Sequence, residues 1–279
     1  MTSILTNNSA MVALQTLNMV NKSLTETQGR VSSGLQISSG KDNAAYFAIS
    51  ETMKGDSSMF EAINEGLTST KNSVATARLG AETVSDLAQQ FTERVAFAQG
   101  SGVNLADVQS ELDSIVSQIG TAISQSTFNG DDLVSGAAAT QTIVSGVTRS
   151  GGTFAATTMT FQSVDLGAIQ TALDAIDVVT AGATSQAALE ATLTAAETQL
   201  GNAISAATSM GVTEKSIEAQ QEFLGSLTNT LDQGVSAMVD AEMEEEAARL
   251  QALQTQQQLA TQALAMANSS PQSVLSLFR

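Results

Sequence analysis

The chain has 279 residues, 42% of them apolar but only 4% aromatic, with no Trp, His or Cys and one proline, Pro271. A formal charge of −17 excludes a nucleic-acid or anionic-membrane surface, since both need clustered Lys and Arg. Without Cys or His there is no disulfide framework, no thiolate chemistry, and neither the commonest general base nor the commonest metal ligand.

The first element is an amphipathic helix whose apolar spacing runs Ala10, Leu14, Leu17, Leu24, Val31 and Leu35. Ser32-Ser33-Gly34 and Ser38-Ser39-Gly40 follow, and their glycines permit a non-helical link flanked by Arg30 and Lys41. From residue 44 to residue 99 steps of four and three starting at Ile49 meet Met53, Phe60, Ile63, Leu67, Val74, Ala77, Ala81, Val84, Ala88, Phe91, Val95 and Ala98. Only Asp56 and Thr70 interrupt that stripe, which predicts one long coiled-coil-like helix. Gly100-Ser101-Gly102 ends it. Asn104, with Asp107 three residues on, caps a second helix through Leu105, Val108, Leu112, Ile115, Ile119 and Ala122, which stops before Phe128-Asn129-Gly130.

The pattern then changes. Residues 140–147 and 153–164 are rich in Thr, Val and Phe, and Arg149-Ser150-Gly151-Gly152 between them completes a β-hairpin signal. A short helix around Ile169, Leu173 and Ile176 comes next. Helical spacing resumes through Leu189, Leu193, Ala196, Leu200, Ala203, Ala207, Met210 and Ile217 and continues to Met238. A last helix carries Leu250, Leu253, Ala260, Leu264 and Ala267. The layout predicts a mainly α chain: an out-and-back long-helix bundle with a small β-hairpin insertion and paired N- and C-terminal helices. Five segments follow from it: residues 1–41 (terminal helix and link), 42–130 (first half of the helical core), 131–182 (β insertion at the tip), 183–238 (second half of the core) and 239–279 (C-terminal helix).

Both ends are poor in charge. The first forty-one residues carry only Lys22, Glu26, Arg30 and Lys41, and residues 250–278 carry none. Isolated amphipathic helices are marginal in water, so two such stripes need each other or copies from neighbouring molecules. The opening Met1-Thr2-Ser3-Ile4-Leu5-Thr6-Asn7-Asn8 has no basic n-region or apolar h-region, and no run reaches the length of a membrane span. An extracellular role then requires an export route without a cleaved signal peptide.

Arg30-Val31-Ser32-Ser33-Gly34-Leu35-Gln36-Ile37 with Lys41-Asp42-Asn43-Ala44-Ala45 resembles the N-terminal signature of bacterial flagellins. Gln262-Ala263-Leu264-Ala265-Met266-Ala267-Asn268 and Pro271-Gln272-Ser273-Val274-Leu275-Ser276-Leu277-Phe278-Arg279 resemble the flagellin C-terminus, and Thr127-Phe128-Asn129-Gly130 resembles the turn closing the second helix. The likeness covers roughly residues 1–130 and 185–279, and the opening heptapeptide and lack of His are similar to alphaproteobacterial members. The resemblance implies a secreted, non-enzymatic subunit of the flagellar filament, exported by the flagellar type III apparatus, with no cofactor. It implies homopolymeric contacts through an inner tube that includes Leu14, Leu17, Leu24, Val31, Leu250, Leu253, Leu264, Leu275, Leu277 and Phe278, and an interdomain link at Arg30, Gly34 and Gly40. Implied partners are an export chaperone at the C-terminal segment, the filament cap and hook-associated proteins.

The alternative within this plan is a hook–filament junction protein, against which the ending from Val274 to Arg279 weighs. An enzymatic reading needs a metzincin-type H-E-x-x-H site, which a chain without His cannot hold. Asp240, Glu242, Glu244, Glu245 and Glu246 read as a solvated helix face or ion pairs rather than a metal site, because successive carboxylates on a helix point apart. Gln254 and Gln257 admit two readings, neutral helix formers or a charge-free polar lining for a channel. The stripes stop near Phe128 and resume near Leu189, so the insertion is expected to be removable with assembly preserved.

Overall fold

The computed structural model describes residues 7–150 and 153–276, Ser150 and residues 270–276 by backbone alone. Its elements are α1 (Asn8–Ser33), α2 (Ala44–Ala98), α3 (Leu105–Gln125), β1 (Thr140–Ser150), β2 (Thr153–Gln162), α4 (Leu166–Asp174), α5 (Val178–Thr184), α6 (Gln186–Val239) and α7 (Met243–Ser276). The mainly α fold with one hairpin and paired terminal helices is therefore what the chain adopts. Packing divides it into two compact units, Met1–Ser57 with Asn229–Arg279, and Ser58–Thr228. Both divisions fall inside long helices, α2 and α6, where no composition change marks them.

In the Ser58–Thr228 unit the predicted stripe is the core. Leu67, Val74, Ala77, Ala81, Val84, Ala88, Phe91, Val95 and Ala98 of α2 are buried against Leu189, Ala196, Ala203, Met210, Ile217 and Leu224 of α6. The two helices run antiparallel, as Arg78 Nε on Glu214 Oε2 at 2.6 Å, Lys71 on Glu218 at 3.6 Å and Gln221 Nε2 donating to Thr68 Oγ1 at 2.7 Å require. Val108, Leu112, Ile115, Val116, Ile119 and Ile123 make the inner face of α3. Asn104 caps that helix, its Oδ1 accepting from the Ala106 N–H while its Nδ2 donates to Asp107. Beyond α3, Asn129 and Gly130 both take positive φ (51° and 87°), and Phe128 pairs with Asp131, the geometry of a tight two-residue turn.

The hairpin lies where the Thr-rich runs predicted it, with β1 extended to Ser150, so Arg149 is a strand residue stacked on its cross-strand partner Phe154 at 4.2 Å. Gly151 and Gly152 fall outside the described residues. A bulge at Ser145 frees its carbonyl, which accepts from Gln220 Nε2 of α6 at 2.7 Å. The single short helix expected around Ile169 is two, α4 and α5: α4 closes at Ala175, and the Asp177 side chain then caps α5 on the Val179 and Thr180 N–H groups.

Residues 131–182 are not a detachable appendage. Leu133, Val134, Phe161, Leu166, Ile169, Leu173, Ile176 and Val178 belong to the same buried cluster as α2, α3 and α6. Removing the segment uncovers the inner face of α3, so its excision is expected to destabilise the Ser58–Thr228 unit.

Gly80 of α2 shows how closely these helices approach. A Cβ there lies 2.5 Å from Ser126 Cβ at the end of α3, whereas at Gly66 of the same helix it meets nothing within 4 Å. Gly80→Ala is expected to destabilise the unit by about 1–2 kcal/mol, overpacking outweighing the gain in helix propensity. Gly66→Ala should stabilise it by up to about 1 kcal/mol. Chemical denaturation of the isolated chain checks both signs.

Candidate assembly surface

In the other unit α1 and α7 pack antiparallel along heptad seams. The positions of α1 turned toward α7 are Ala10, Ala13, Leu17, Val20, Leu24, Thr27 and Val31, and those of α7 are Glu246, Leu250, Leu253, Gln257, Ala260, Leu264 and Ala267. Each list alternates steps of three and four, the spacing that keeps one stripe on a partner helix. Small residues let the backbones approach, and a lone pair of helices has little flank to cover them, so most of these side chains are only half-buried.

Three polar rungs cross this seam. At one end Glu246, only 5% exposed, accepts from Arg30 at 3.1 Å and pairs with Arg249 at 3.5 Å through the same oxygen, Oε1. In the middle Gln257 Nε2 donates to Asn21 Oδ1 at 2.7 Å. At the other end Asn7 Nδ2 donates to the Ala267 carbonyl at 2.8 Å.

The link is built by its polar side chains. Gly34 ends α1 in the left-handed region (φ 73°), its N–H donating to the Arg30 carbonyl at 2.8 Å, as glycine alone does without strain. Leu35 then pairs with Asp240 in an antiparallel bridge, held by Ala241 N–H on the Gly34 carbonyl and Gln36 N–H on the Val239 carbonyl. Asp42 Oδ2 gathers the hydroxyls and N–H groups of Ser38 and Ser39, and Asn43 Oδ1 caps α2. The Ser39 hydroxyl, then the Ser38 N–H, hold the Asp42 carboxyl below its ordinary pKa. That turn is at full strength above the ordinary carboxylate range and weakens as pH falls through the lowered value. Below the link, Ser50 is buried and Ser57 donates to Asp232 at 2.9 Å.

The sequence-predicted residues fall in different places. Leu17, Leu24, Val31, Leu250, Leu253 and Leu264 are seam residues, but Leu14 is 49% exposed and its neighbour Ala13 takes the seam. Leu277 and Phe278 lie outside the described residues, and Leu275 is described by backbone alone. Arg30 sits in the last turn of α1 as the partner of Glu246, rather than in the link. Gly40 has no left-handed backbone and leaves 3.6 Å between a Cβ and Phe47, so Gly34, not Gly40, carries the conformational demand. Likewise Ile49 is exposed while Ser50 is buried. Of the acidic run, Glu246 turns inward and Glu245 pairs with Arg249 at the helix surface. Gln257 is in the seam and Gln254 is exposed, so the two do not share one lining face. Heptad counting from Leu250 was the signal that could have placed Glu246 and Gln257.

Among the polar residues that the seam leaves outside are several large apolar ones. Met11 (64% exposed), Val12, Leu14 and Met19 of α1, and Leu259 and Met266 (68%) of α7, are exposed among the described residues. No described helix is long and apolar enough to cross a membrane. Charge-poor paired helices with bare apolar flanks define a subunit of a helical assembly.

The comparisons carry this to a family. Residues 4–139 match the bacterial flagellin N-terminal helical region and residues 193–278 the C-terminal helical region. A flagellin of Brucella melitensis is 37% identical over the whole of both chains. Flagellin FljM of Caulobacter vibrioides is 34% identical over 99% of this chain and 98% of its own. Flagellin C of Rhizobium meliloti is 33% identical over the whole of both. A solved structure described as a flagellar hook-associated protein from Vibrio parahaemolyticus overlays with a TM-score of 0.52 at 15% identity, covering 71% of this chain and all of its own, a likeness of fold alone. The chain belongs to the bacterial flagellin family.

Glu246 yields an ordered prediction. Arg30→Met leaves a buried carboxylate with one exposed partner, whereas Glu246→Met leaves two guanidiniums that reach water. The arginine substitution should therefore cost more, about 1.5–3 kcal/mol at the α1–α7 seam. Amide exchange across α1 and α7 in the two variants measures the order.

Proposed function

We propose that this chain is the structural subunit of a bacterial flagellar filament, assembling with copies of itself. One observation carries the reading: the two matched family regions include the α1–α7 pair, whose outer flanks expose Met11, Val12, Met19, Leu259 and Met266. Large exposed apolar side chains of this kind mark a surface that other subunits cover. Paired terminal helices then form an inner tube around a central channel. Leu14 serves contacts between subunits.

In this reading the chain has no catalytic role. It works outside the cell, exported by the flagellar type III apparatus, its C-terminal segment held by an export chaperone. It joins the filament beneath a cap and above hook-associated proteins. The hook–filament junction alternative is not favoured, because the relatives at 33–37% identity over 98–100% of their length are flagellins. The likeness to a hook-associated structure is one of fold.

Leu264→Asp is the test. It places a carboxylate in the seam of every subunit, an unpaired charge costing several kcal/mol when buried, while the Ser58–Thr228 unit keeps its own core. The variant should retain most of its helical circular dichroism and fail to extend filament seeds under the electron microscope. Normal filaments would remove Leu264 from the buried stripe and the inner-tube assignment with it.

A further inference from the structure

Asn7 does two things at once. Its Oδ1 accepts from the Ala10 N–H at 3.1 Å and so caps α1, while its Nδ2 donates to the Ala267 carbonyl of α7 at 2.8 Å. The carboxamide has only one orientation that satisfies both, since the first partner is a donor and the second an acceptor. Ala267 is also the carbonyl that the chain leaves short. In an α-helix it would receive the N–H of residue 271, four positions on, but residue 271 is the one proline and has no N–H. Helix α7 nevertheless runs on to Ser276.

We propose that Asn7 is a register-setting clamp, supplying from α1 the hydrogen bond that Pro271 deletes from α7. The chemistry explains why the pair sits where it does. A seam of Ala and Leu on both helices tolerates a slide by one heptad with little loss of apolar contact, whereas a polar partner at a seam position accepts one register. Arg30–Glu246 and Asn21–Gln257 fix the link end and the middle. Asn7 with the proline-opened carbonyl fixes the far end, across 260 residues of chain. The proline thus marks the place on α7 where the first turn of α1 must lie. This is a property of the single chain and goes beyond the filament reading.

A double-mutant cycle in full-length filaments tests it. Asn7→Ser keeps an N-cap of comparable quality but cannot reach α7, so it should raise the critical concentration for seeded growth by about fivefold. Pro271→Ala restores an N–H for Ala267, and in that background Asn7→Ser should change the critical concentration by less than about twofold. An equal effect in both backgrounds, or none in either, overturns the clamp and leaves Asn7 a cap. Independently, solid-state NMR of wild-type filaments labelled at the Asn7 side-chain nitrogen and the Ala267 carbonyl carbon should show a direct dipolar contact, and its absence also overturns the proposal. If the wild-type chain makes no filament, the filament reading fails by itself. The same cycle, read on amide exchange of the first turn of α1 in the isolated chain, then decides the clamp with the same two outcomes.

Discussion

An α-helix buries one stripe of its surface, and two helices alone bury only the stripes that face each other. The rest of the α1–α7 pair follows from that limit. Its seam holds Leu17, Leu24, Leu250, Leu253 and Leu264, yet of its described apolar side chains only Val20 is buried, because among the described residues no further helix packs along the length of the pair. In the Ser58–Thr228 unit α3, α4, α5 and the hairpin supply further layers, and Val74, Val84, Leu112, Leu173 and Met210 are fully inside. One chain therefore holds a self-sufficient core and a pair of helices that is complete only in company.

The same limit gives the polar groups of the seam their importance. Apolar contact between small residues is nearly indifferent to a shift along the axis, so it holds the helices together without saying where. Glu246 is costly to bury and returns little net stability even when paired. What it contributes is a place. The arrangement of a carboxylate against Arg30, an amide against an amide at Gln257 and Asn21, and a carboxamide on a carbonyl at Asn7 distinguishes one alignment from its heptad neighbours. For a subunit repeated along a helical lattice a unique alignment matters more than depth of burial, since an error in one pair is repeated at every neighbour.

Much of this was legible beforehand, and the misses share a cause. The stripe from Met53 to Ala98 matched the structure wherever the packed position was occupied by a large apolar residue. The apolar reading failed at Ile49 and Leu14, where the larger residue sits beside the one that is used, Ser50 and Ala13. Periodicity fixes a face to within one residue either way, and size then misleads, because close-packed helices favour the smaller of two neighbours. Residues 131–182 misled for a different reason. Their change of pattern is real, but Leu166, Leu173 and Val178 pack on α3, whose own stripe already had a partner in α2.

By itself the sequence determined the mainly α class, the order and approximate ends of the helices, the hairpin, the caps at Asn104 and Gly34, and, through its motifs, the family. These are local matters, set by spacing, propensity and turn chemistry within a few residues. Only the tertiary structure decided that Glu246 alone of five acids turns inward, that Gln257 belongs to a seam, and that Asn7 answers the missing N–H of Pro271. The physical reason is distance along the chain. A polar group declares in sequence only what it can donate or accept, and its partner here lies more than two hundred residues away, chosen when two helices settle at one register.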